Sequence, residues 1–550
     1  MSSALTKRRP EKLIQISTIR YLCVTAALLL SAELVYFLGS ASAKSEFLLA
    51  EVMPRSAEKK SSPSELVDQL TRLQDEIKTK SRPVSLSEAI MLGLQNNPEL
   101  ASSFSNIQQF EWQLIAAKRR WYPTLQLTNG IPFVGRNWGT FVQDQYALPQ
   151  QQNQELMAQE QQKKSAVKSQ QFVVQPGAQV NWNFLDPTRQ PNINAASESL
   201  RQQKFLFDVS ARNLVLQIQQ SFYAIQSNQQ LINSFQEIYK INQKQLEILE
   251  ARKSIGMVTV LDLEQTRSQL FGQLSQLVLY TSNYIDQAAL LAQQLALPAN
   301  QLAIPDQPAQ IQGRWQIPLQ ETVSRATQQR EEILASFAAA EASNWSSMAS
   351  LRQYLPVFSL VATGNLLGQN GYQNVPVPND PGSRYARSRQ WNAAIGIGFN
   401  WQIFDGGINA ADAQSFKAQA QQQYAQAALS ELQVTQQVRS SYGSYQTSQV
   451  AVTTARQAYR SAQLAQEAAR ARFEVGVGDI TSVVQTIQQL SSAAQQLSQA
   501  VLTYNGAVAE LYRYSATWPG GSQQDVQERL KVLRDSPQPS SPASSTRLKP

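Results

Sequence analysis

The sequence contains no histidine and a single cysteine, Cys23. The lack of histidine excludes histidine-based acid–base catalysis and the usual zinc and copper sites. Cys23 lies in an N-terminal segment that we expect to be removed, so the remaining chain would have neither a disulfide nor thiol chemistry. Charge is also sparse. Residues 1–43 hold +3 of the formal +8, and the +5 spread over residues 44–550 is too weak for a nucleic-acid interface.

Long apolar runs are missing except near the N-terminus. There, basic residues at 7–12 precede a mostly apolar stretch at 21–38, and Ala41-Ser42-Ala43 follows as a small-residue cleavage site. This order is typical of an export signal, and a retained membrane anchor is the alternative. No later stretch approaches the ~18–20 apolar residues of a spanning helix. We therefore expect any membrane crossing by the mature chain to use a closed β-barrel, because lipid satisfies no backbone hydrogen bonds.

The rest of the chain presents the same series of motifs twice, about 220 residues apart, which indicates an internal duplication. The paired motifs are LSEAI and LQETV, RRWYPTLQL and LRQYLPVFSL, WNFLDPTRQPNINAA and WQIFDGGINAADA, and ARKSIGMVTVLDL and ARFEVGVGDITSV. We predict a signal peptide (1–43), an N-terminal extension (44–83), a first structural repeat (84–297), a linker (298–318), a second structural repeat (319–514) and a polar, disordered tail (515–550).

Residues 391–404 have the alternation of a membrane strand. One face is small or polar, and the other would face lipid through Trp391, Ile395, Ile397, Phe399 and Trp401. The same alternation recurs at about 172–185, and weaker partner strands are predicted at about 124–134 and 357–366. A soluble sandwich strand is the alternative, since its buried face would be equally apolar.

The predicted strand pairs are joined by long polar segments, residues 135–171 and 367–390. Long loops on one side are typical of the outer face of a bacterial barrel. Four strands cannot close a barrel, since the smallest have about eight. Other subunits must therefore complete the sheet, and the strand count leaves their number open.

Two very long helices are predicted at about 187–253 and 406–473, after Asp186 and Asp405 as N-caps. Heptad helices follow at about 260–297 and 480–514. Their apolar residues recur every seven positions, which predicts coiled-coil packing: Leu263, Leu270, Leu277, Tyr284 and Leu291, then Val483, Leu490, Leu497, Tyr504 and Leu511.

In order and twice over, these motifs resemble the TolC family of outer membrane efflux proteins across about residues 84–515. The resemblance implies a mixed α and membrane β-barrel fold: a homotrimer with four strands per chain in a shared 12-stranded barrel, above a long coiled-coil α-helical tunnel in the periplasm. It also implies a periplasmic adaptor (membrane fusion protein) and an inner-membrane pump or ABC transporter as partners. The expected location is the outer membrane of a Gram-negative-type envelope, in contact with its lipid.

The two turns between long and heptad helices are candidate docking sites. Arginine in a last helical turn followed by glycine is fully explained by helix termination. The resemblance adds adaptor docking at both turns, through Arg252, Gly256, Val258, Arg472, Gly476 and Val477. Thr259 and Asp479 are predicted N-caps of the returning helices.

In TolC-like proteins the second turn also narrows the tunnel, through two acidic rings and a tyrosine–arginine latch. Here the ring positions are Ser482 and Gln485, and the latch positions are Phe473 and Gly478. The latch acceptor, Asp262, is retained. A phenyl ring and a glycine cannot form the polar latch. We therefore predict closure by packing, glycine-turn geometry and Asp479, and only weak block of the pore by cations.

The sequence shows no nucleophile–base pair, phosphate-binding loop or metal cluster, and we expect neither an enzyme nor a cofactor. The leading hypothesis is a passive exit duct of a tripartite efflux pump or a type I secretion system. The alternative is a non-conducting tether, anchored in the outer membrane and built on coiled coils. A soluble periplasmic adaptor is disfavoured, because it needs no strands flanked by tryptophan.

Overall fold

The computed structural model describes residues 63–145, 163–374 and 383–518. The predicted export signal, residues 44–62 of the extension, the middle of both polar loops (146–162 and 375–382) and residues 519–550 of the tail lie outside the described residues. The chain divides into two compact units, residues 1–71 and 72–550. Apart from residues 63–71, which belong to the first helix, everything below concerns the second unit.

Nine helices and six strands make up the described part of the chain. The helices are α1 (Pro63–Lys80), α2 (Leu86–Asn96), α3 (Pro98–Arg119), α4 (Arg189–Ser254), α5 (Val260–Gln294), α6 (Leu319–Gln329), α7 (Glu331–Arg352), α8 (Ile408–Glu474) and α9 (Ile480–Tyr514). The strands are β1 (Ser81–Val84), β2 (Thr124–Gln145), β3 (Lys163–Leu185), β4 (Leu302–Pro305), β5 (Val357–Asn374) and β6 (Ser383–Asn400). Among the described residues, no helix is both long and apolar enough to cross a membrane.

The four long strands form one antiparallel sheet in the order β2-β3-β5-β6. All four extend well beyond the predicted bounds, into the segments that we expected to be loops. Strand β2 stays paired with β3 from Thr124 to Gln145, with a register shift between Asn129 and Val134. Residues 135–145 no longer alternate apolar and polar side chains, but ladder hydrogen bonds join backbone groups and do not require that pattern. At its other end, β6 stops at Asn400, so Trp401 follows the strand.

The register gives the sheet one apolar and one polar face. Residues directly opposite in an antiparallel pair share a face. Ile397 lies opposite Leu360, Ile395 opposite Ala362, and Ala362 opposite Val180. On the other face, Asn392 lies opposite Asn365 and Thr363 opposite Gln179. The predicted alternation is thus present across neighbouring strands, and the large apolar side chains on the first face are exposed in the single chain: Trp391, Ile395, Ile397 and Phe399.

Two very long helices, α4 with 66 residues and α8 with 67, carry the rest of the structure. Helix α5 packs on α4, helix α9 packs on α8 and on α4, and α7 packs between α4 and α8. The burial of the heptad positions confirms the prediction that these helices pack through them. All five positions of the first series are buried in α5, and in α9 only Leu497 is half-buried.

Both long helices begin slightly later than predicted. The Asp186 carboxylate accepts hydrogen bonds from the backbone N–H and the hydroxyl of Thr188, which form an Asx turn before α4. Asp405 accepts from the N–H groups of Gly407 and Asn409, at 2.8 Å each. These backbone donors, the Asn409 bond first, hold the pKa of the Asp405 carboxyl below its usual range. The N-cap residues are Thr188 and Gly407, so the predicted N-caps at Asp186 and Asp405 are wrong, and both aspartates bind the turn just before the helix.

The junction between sheet and helices is fixed by two tryptophans. The Trp182 indole N–H donates to the Trp121 carbonyl, and the Trp401 indole N–H donates to the Tyr354 carbonyl, each at 2.9 Å. The Tyr354 hydroxyl in turn donates to Asp405 at 2.8 Å. Both acceptors lie in the turn that leads from a short helix into the sheet.

The predicted linker is partly a strand. Strand β4 (Leu302–Pro305) pairs in parallel with β1 (Ser81–Val84), and Ala303 is fully buried between its neighbours. Further along, Trp315 is buried and its indole N–H donates to the Thr322 hydroxyl. The segment therefore packs tightly against the helices, because its few apolar side chains reach the core.

A group of buried charges fastens the ends of α7 and α9 to each other. Glu332 accepts from Arg330 at 2.9 Å and also from Arg513. Burial alone would raise the pKa of Glu332, but the Arg330 hydrogen bond and the Arg513 charge outweigh it and lower that pKa to about 2. In the same group, the Arg212 guanidinium donates to the Glu331 carboxylate at 2.7 Å and lies 4.3 Å from the centre of the Trp518 ring.

Candidate functional site

The site predicted from the sequence consists of two turns, named here the first tip (residues 252–262) and the second tip (residues 472–485). At the first tip α4 ends at Ser254, and Gly256 takes a left-handed φ of +76° that favours glycine. The Gly256 N–H donates to the Lys253 carbonyl and the Met257 N–H to the Arg252 carbonyl, both at 3.0 Å. These two bonds satisfy carbonyls that the helix end would otherwise leave unpaired.

Helix α5 then starts from a capping box. The Asp262 backbone N–H donates to the Thr259 hydroxyl at 3.2 Å, and the Asp262 carboxylate accepts from the Thr259 N–H at 3.1 Å. The Thr259 hydroxyl also donates to that carboxylate at 2.6 Å. This confirms the predicted cap at Thr259. It also shows how Asp262, the predicted latch acceptor, is used within one chain: its carboxylate binds its own turn.

The second tip turns more tightly. Gly476 has a φ of +81°, and the N–H groups of Val477 and Gly478 both donate to the Arg472 carbonyl at 3.0 Å. A Cβ on Gly478 would lie 2.9 Å from the Phe473 nitrogen and 3.0 Å from the Arg472 carbonyl carbon. Glycine at 478 is therefore required by the close approach of the backbone. Asp479 does occupy the N-cap position, but its side chain makes no capping hydrogen bond, so that part of the prediction is wrong.

One arginine joins the two tips. The Arg252 guanidinium lies 4.4 Å from the centre of the Phe473 ring and donates a hydrogen bond of 3.1 Å to the Glu474 carbonyl. Phe473 itself is buried, at 5% exposure. A cation over an aromatic face is attracted by the ring quadrupole. Phe473, one of the two predicted latch positions, thus contacts the first tip through its ring face, and this contact does not need a phenol hydroxyl.

Apolar side chains surround both turns and remain exposed. Their exposed fractions range from 59% to 75% in the single chain, for Ile255, Met257, Val260, Leu261, Val475 and Val477. Such a group of exposed apolar side chains is a candidate interaction surface. Of this group only Val477 was predicted, whereas Val258 is half-buried. The sequence did offer a signal for the other residues, since an apolar residue lies beside the glycine of each turn.

The remaining predicted residues of the tips point outward. Arg472 is exposed, and among the described residues no carboxylate forms an ion pair with it. Ser482 and Gln485 are exposed on the first turns of α9 and carry no charge. Glu474, an acidic residue of the second tip, is paired with Arg470 at 3.6 Å. The docking and aperture roles of these residues stay predictions.

The sequence as a whole matches a family of known proteins. The family model described as "Outer membrane efflux protein" matches residues 89–297 and 322–517. The curated "Outer membrane protein TolC" of Vibrio cholerae is 23% identical over 348 residues, which cover 62% of this chain and 76% of that protein. The protein of the same name from Escherichia coli is 24% identical over 357 residues, which cover 57% and 68%.

The fold is also found in solved structures. The Campylobacter jejuni CmeC outer membrane channel aligns with a TM-score of 0.62 at 16% sequence identity, over 82% of this chain and 89% of that one. At this identity the likeness concerns the fold alone.

Proposed function

The chain belongs to the outer membrane efflux protein family, and from this premise we propose that three copies form one passive exit duct through the outer membrane. The family places the chain in the outer membrane, with its long helices in the periplasm. The family consists of channels and not of enzymes. In the proposal, transported molecules enter at the tips, pass along the helices and leave through the sheet.

The sheet supports assembly of several chains. Among the described residues, the outer strands β2 and β6 each pair with one neighbour only, so each leaves one row of backbone groups without a strand partner. Such groups cannot be left unpaired in hydrocarbon. Joining β6 of one chain to β2 of the next would pair both rows, and three chains of four strands give the 12-stranded barrel implied by the family.

The direction of the two faces supports an open duct. The face with Ile395, Ile397 and Phe399 would contact lipid, and the face with Asn392, Gly396 and Gly398 would line the pore. A pore lined with small and polar side chains leaves room for water. A plugged barrel would need bulky side chains on that face.

The tips are the proposed docking surface for a periplasmic adaptor. The exposed apolar side chains, Met257 and Val477 among them, would be covered by the adaptor, and Arg472 would meet an acceptor on it. The adaptor would connect the duct to an inner-membrane pump or to the ABC transporter of a type I secretion system. The exposed apolar side chains at the two tips are the observation that carries this part of the proposal.

The experiment that tests the whole proposal is reconstitution in a planar bilayer, combined with the native mass of the detergent-purified complex. A trimeric mass and discrete conductance steps are expected. A monomeric product that does not conduct would contradict the proposal and favour the non-conducting tether.

A further inference from the structure

Three arginines lie on the apolar face of the sheet, just beyond the apolar side chains. On β6 the positions that follow Trp391 on the same face are Arg389 and Arg387. Arg387 is opposite Asn370, which is opposite Phe172, and Phe172 is opposite Arg136 on β2. The pairing between β5 and β6 has no register shift, so the face is kept along the whole strand. Arg136, Arg387 and Arg389 are therefore on the face that carries Trp391 and Ile395.

These arginines are exposed and belong to a strongly basic end of the sheet. All three side chains are solvent-exposed, and no carboxylate of the described residues forms an ion pair with them. The outer strand segments (134–145, 163–174, 368–374 and 383–390) contain seven basic residues and one acidic residue. An arginine on the lipid-facing side of a barrel is costly at the middle of the bilayer and much less so near the interface, where anionic groups can pair with it.

The distance of Arg387 and Arg389 from the apolar band of the sheet places them at the level of lipid head groups. Trp391 to Trp401 spans eleven residues, the length of one membrane-crossing strand. At ~3.3 Å per residue and a tilt of ~40°, this stretch is about 25 Å tall, which matches the apolar band of such barrels. Arg389 and Arg387 then lie roughly 5 and 10 Å beyond the band. They are at the end of the sheet away from the helices, and hence on the outer leaflet if the proposed function holds.

We propose that Arg387 with Arg389, and Arg136 separately, bind the phosphate groups of lipid head groups in the outer leaflet. A guanidinium offers a planar fork of N–H donors that fits a phosphate in a bidentate manner. Arg387 and Arg389 are ~7 Å apart along one strand, so both can reach one head group. Arg136 is three strands away, ~14 Å from Arg387, and holds a second phosphate. This site would fix the depth and the lipid shell of the duct.

The test measures lipid preference by native mass spectrometry. The detergent-purified complex is mixed with equal amounts of lipid A or phosphatidylglycerol and of phosphatidylcholine, and the ratio of bound lipids is read. Wild-type protein is expected to retain the anionic lipids, because their phosphates are not neutralised by a quaternary ammonium as the phosphate of phosphatidylcholine is. Each arginine near a membrane surface contributes about fivefold. The preference should therefore fall about 25-fold in Arg387→Gln/Arg389→Gln and about fivefold in Arg136→Gln.

A matched control moves the charge without removing it. In the variant Arg387→Gln/Ser388→Arg/Arg389→Gln/Gln390→Arg, both arginines shift by one residue to the other face of the strand. The net charge is unchanged, and the lipid preference should be lost as in the double glutamine variant. A wild-type preference in this variant would overturn the proposal, because it would show that general attraction and not position matters.

Two further arms separate the alternatives. Inorganic phosphate at matched ionic strength should not displace the bound lipid, and displacement at equal phosphate concentration would overturn the choice of a lipid. Arg387→Lys/Arg389→Lys keeps the charge and should retain part of the preference, so a result does not depend on the folding of the glutamine variants.

The inference rests on the proposed duct, whose own test is conductance in pure phosphatidylcholine. A conducting trimer without lipid preference would refute this inference alone, and a protein that neither assembles nor conducts would refute the duct.

Discussion

The contact between the tips makes a specific prediction about closure of the duct. Replacing Arg252 by methionine keeps an unbranched, flexible side chain, although a shorter one, and removes both the cation over Phe473 and the donor to the Glu474 carbonyl. At this half-buried site the stacking contributes ~1 kcal/mol. The single hydrogen bond contributes a similar amount at most. If opening separates the two tips of each chain, losing about 1–2 kcal/mol raises the ratio of open to closed states roughly 5- to 30-fold.

Single-channel recording measures this ratio directly as the fraction of time in the high-conductance state. Arg267→Met is the matched control, because Arg267 pairs with Glu250 and Glu264 and so connects only the helices of the first tip. It should leave the open fraction nearly unchanged. Phe473→Leu removes only the stacking and keeps the donor to the Glu474 carbonyl, so it should raise the open fraction less than Arg252→Met. The double variant should add little to Arg252→Met, since that substitution already removes the stacking. An unchanged open fraction in Arg252→Met, or an equal rise in Arg267→Met, would refute the reasoning.

Three more predictions follow from the structure. Glu332→Gln should cost about 3 kcal/mol at pH 7, because the folded pKa of Glu332 is about 2. The contribution of the Glu332 carboxylate to the free energy of unfolding is full above its unfolded pKa of about 4.3 and is lost as pH falls to about 2. The denaturant midpoints of wild type and variant should therefore converge near pH 2. In the control Glu321→Gln, at an exposed ion pair, the midpoint should differ little from wild type at any pH. Gly478→Ala should raise hydrogen exchange at the second tip, and Gly443→Ala, with open space around it, should not. Block by divalent ions should be weak in wild type and strong in Ser482→Asp, and strong block of the wild type would contradict the missing acidic ring.

The sequence could predict those features that follow from a pattern of nearby residues. The positions from Leu263 to Leu291 repeat every seven residues, so their burial followed from the period alone. The outer halves of β2 and β3 could not be predicted, since residues 135–145 have no alternation and pair through backbone groups. Strand β4 has four residues, and its partner β1 lies about 220 positions earlier in the chain, so no local pattern could reveal it.

The same limit applies to the tips. Gly256 and Gly476 were predicted as turn residues because a left-handed φ favours glycine. The contact of Arg252 with Phe473 was not predicted, because it depends on how two helical hairpins distant in sequence pack side by side. Asp479 has the residue type and the position of a cap, yet its side chain makes no capping hydrogen bond. A residue type indicates what a position can do, and only the packing decides whether it does so.

The indole hydrogen bonds at the base of the sheet have a mechanical consequence. Any pivot at that boundary would have to break the bonds from Trp182 and Trp401 in each chain, and would also disturb the Tyr354 contact with Asp405. The far ends of α4 and α8 lie about 100 Å away along the helix axes, and among the described residues the Arg252 guanidinium joins them through its bond to the Glu474 carbonyl and its contact with the Phe473 ring. Resistance to bending therefore decreases with distance from the membrane, and the molecule can flex at its periplasmic end while its wall in the lipid stays stiff.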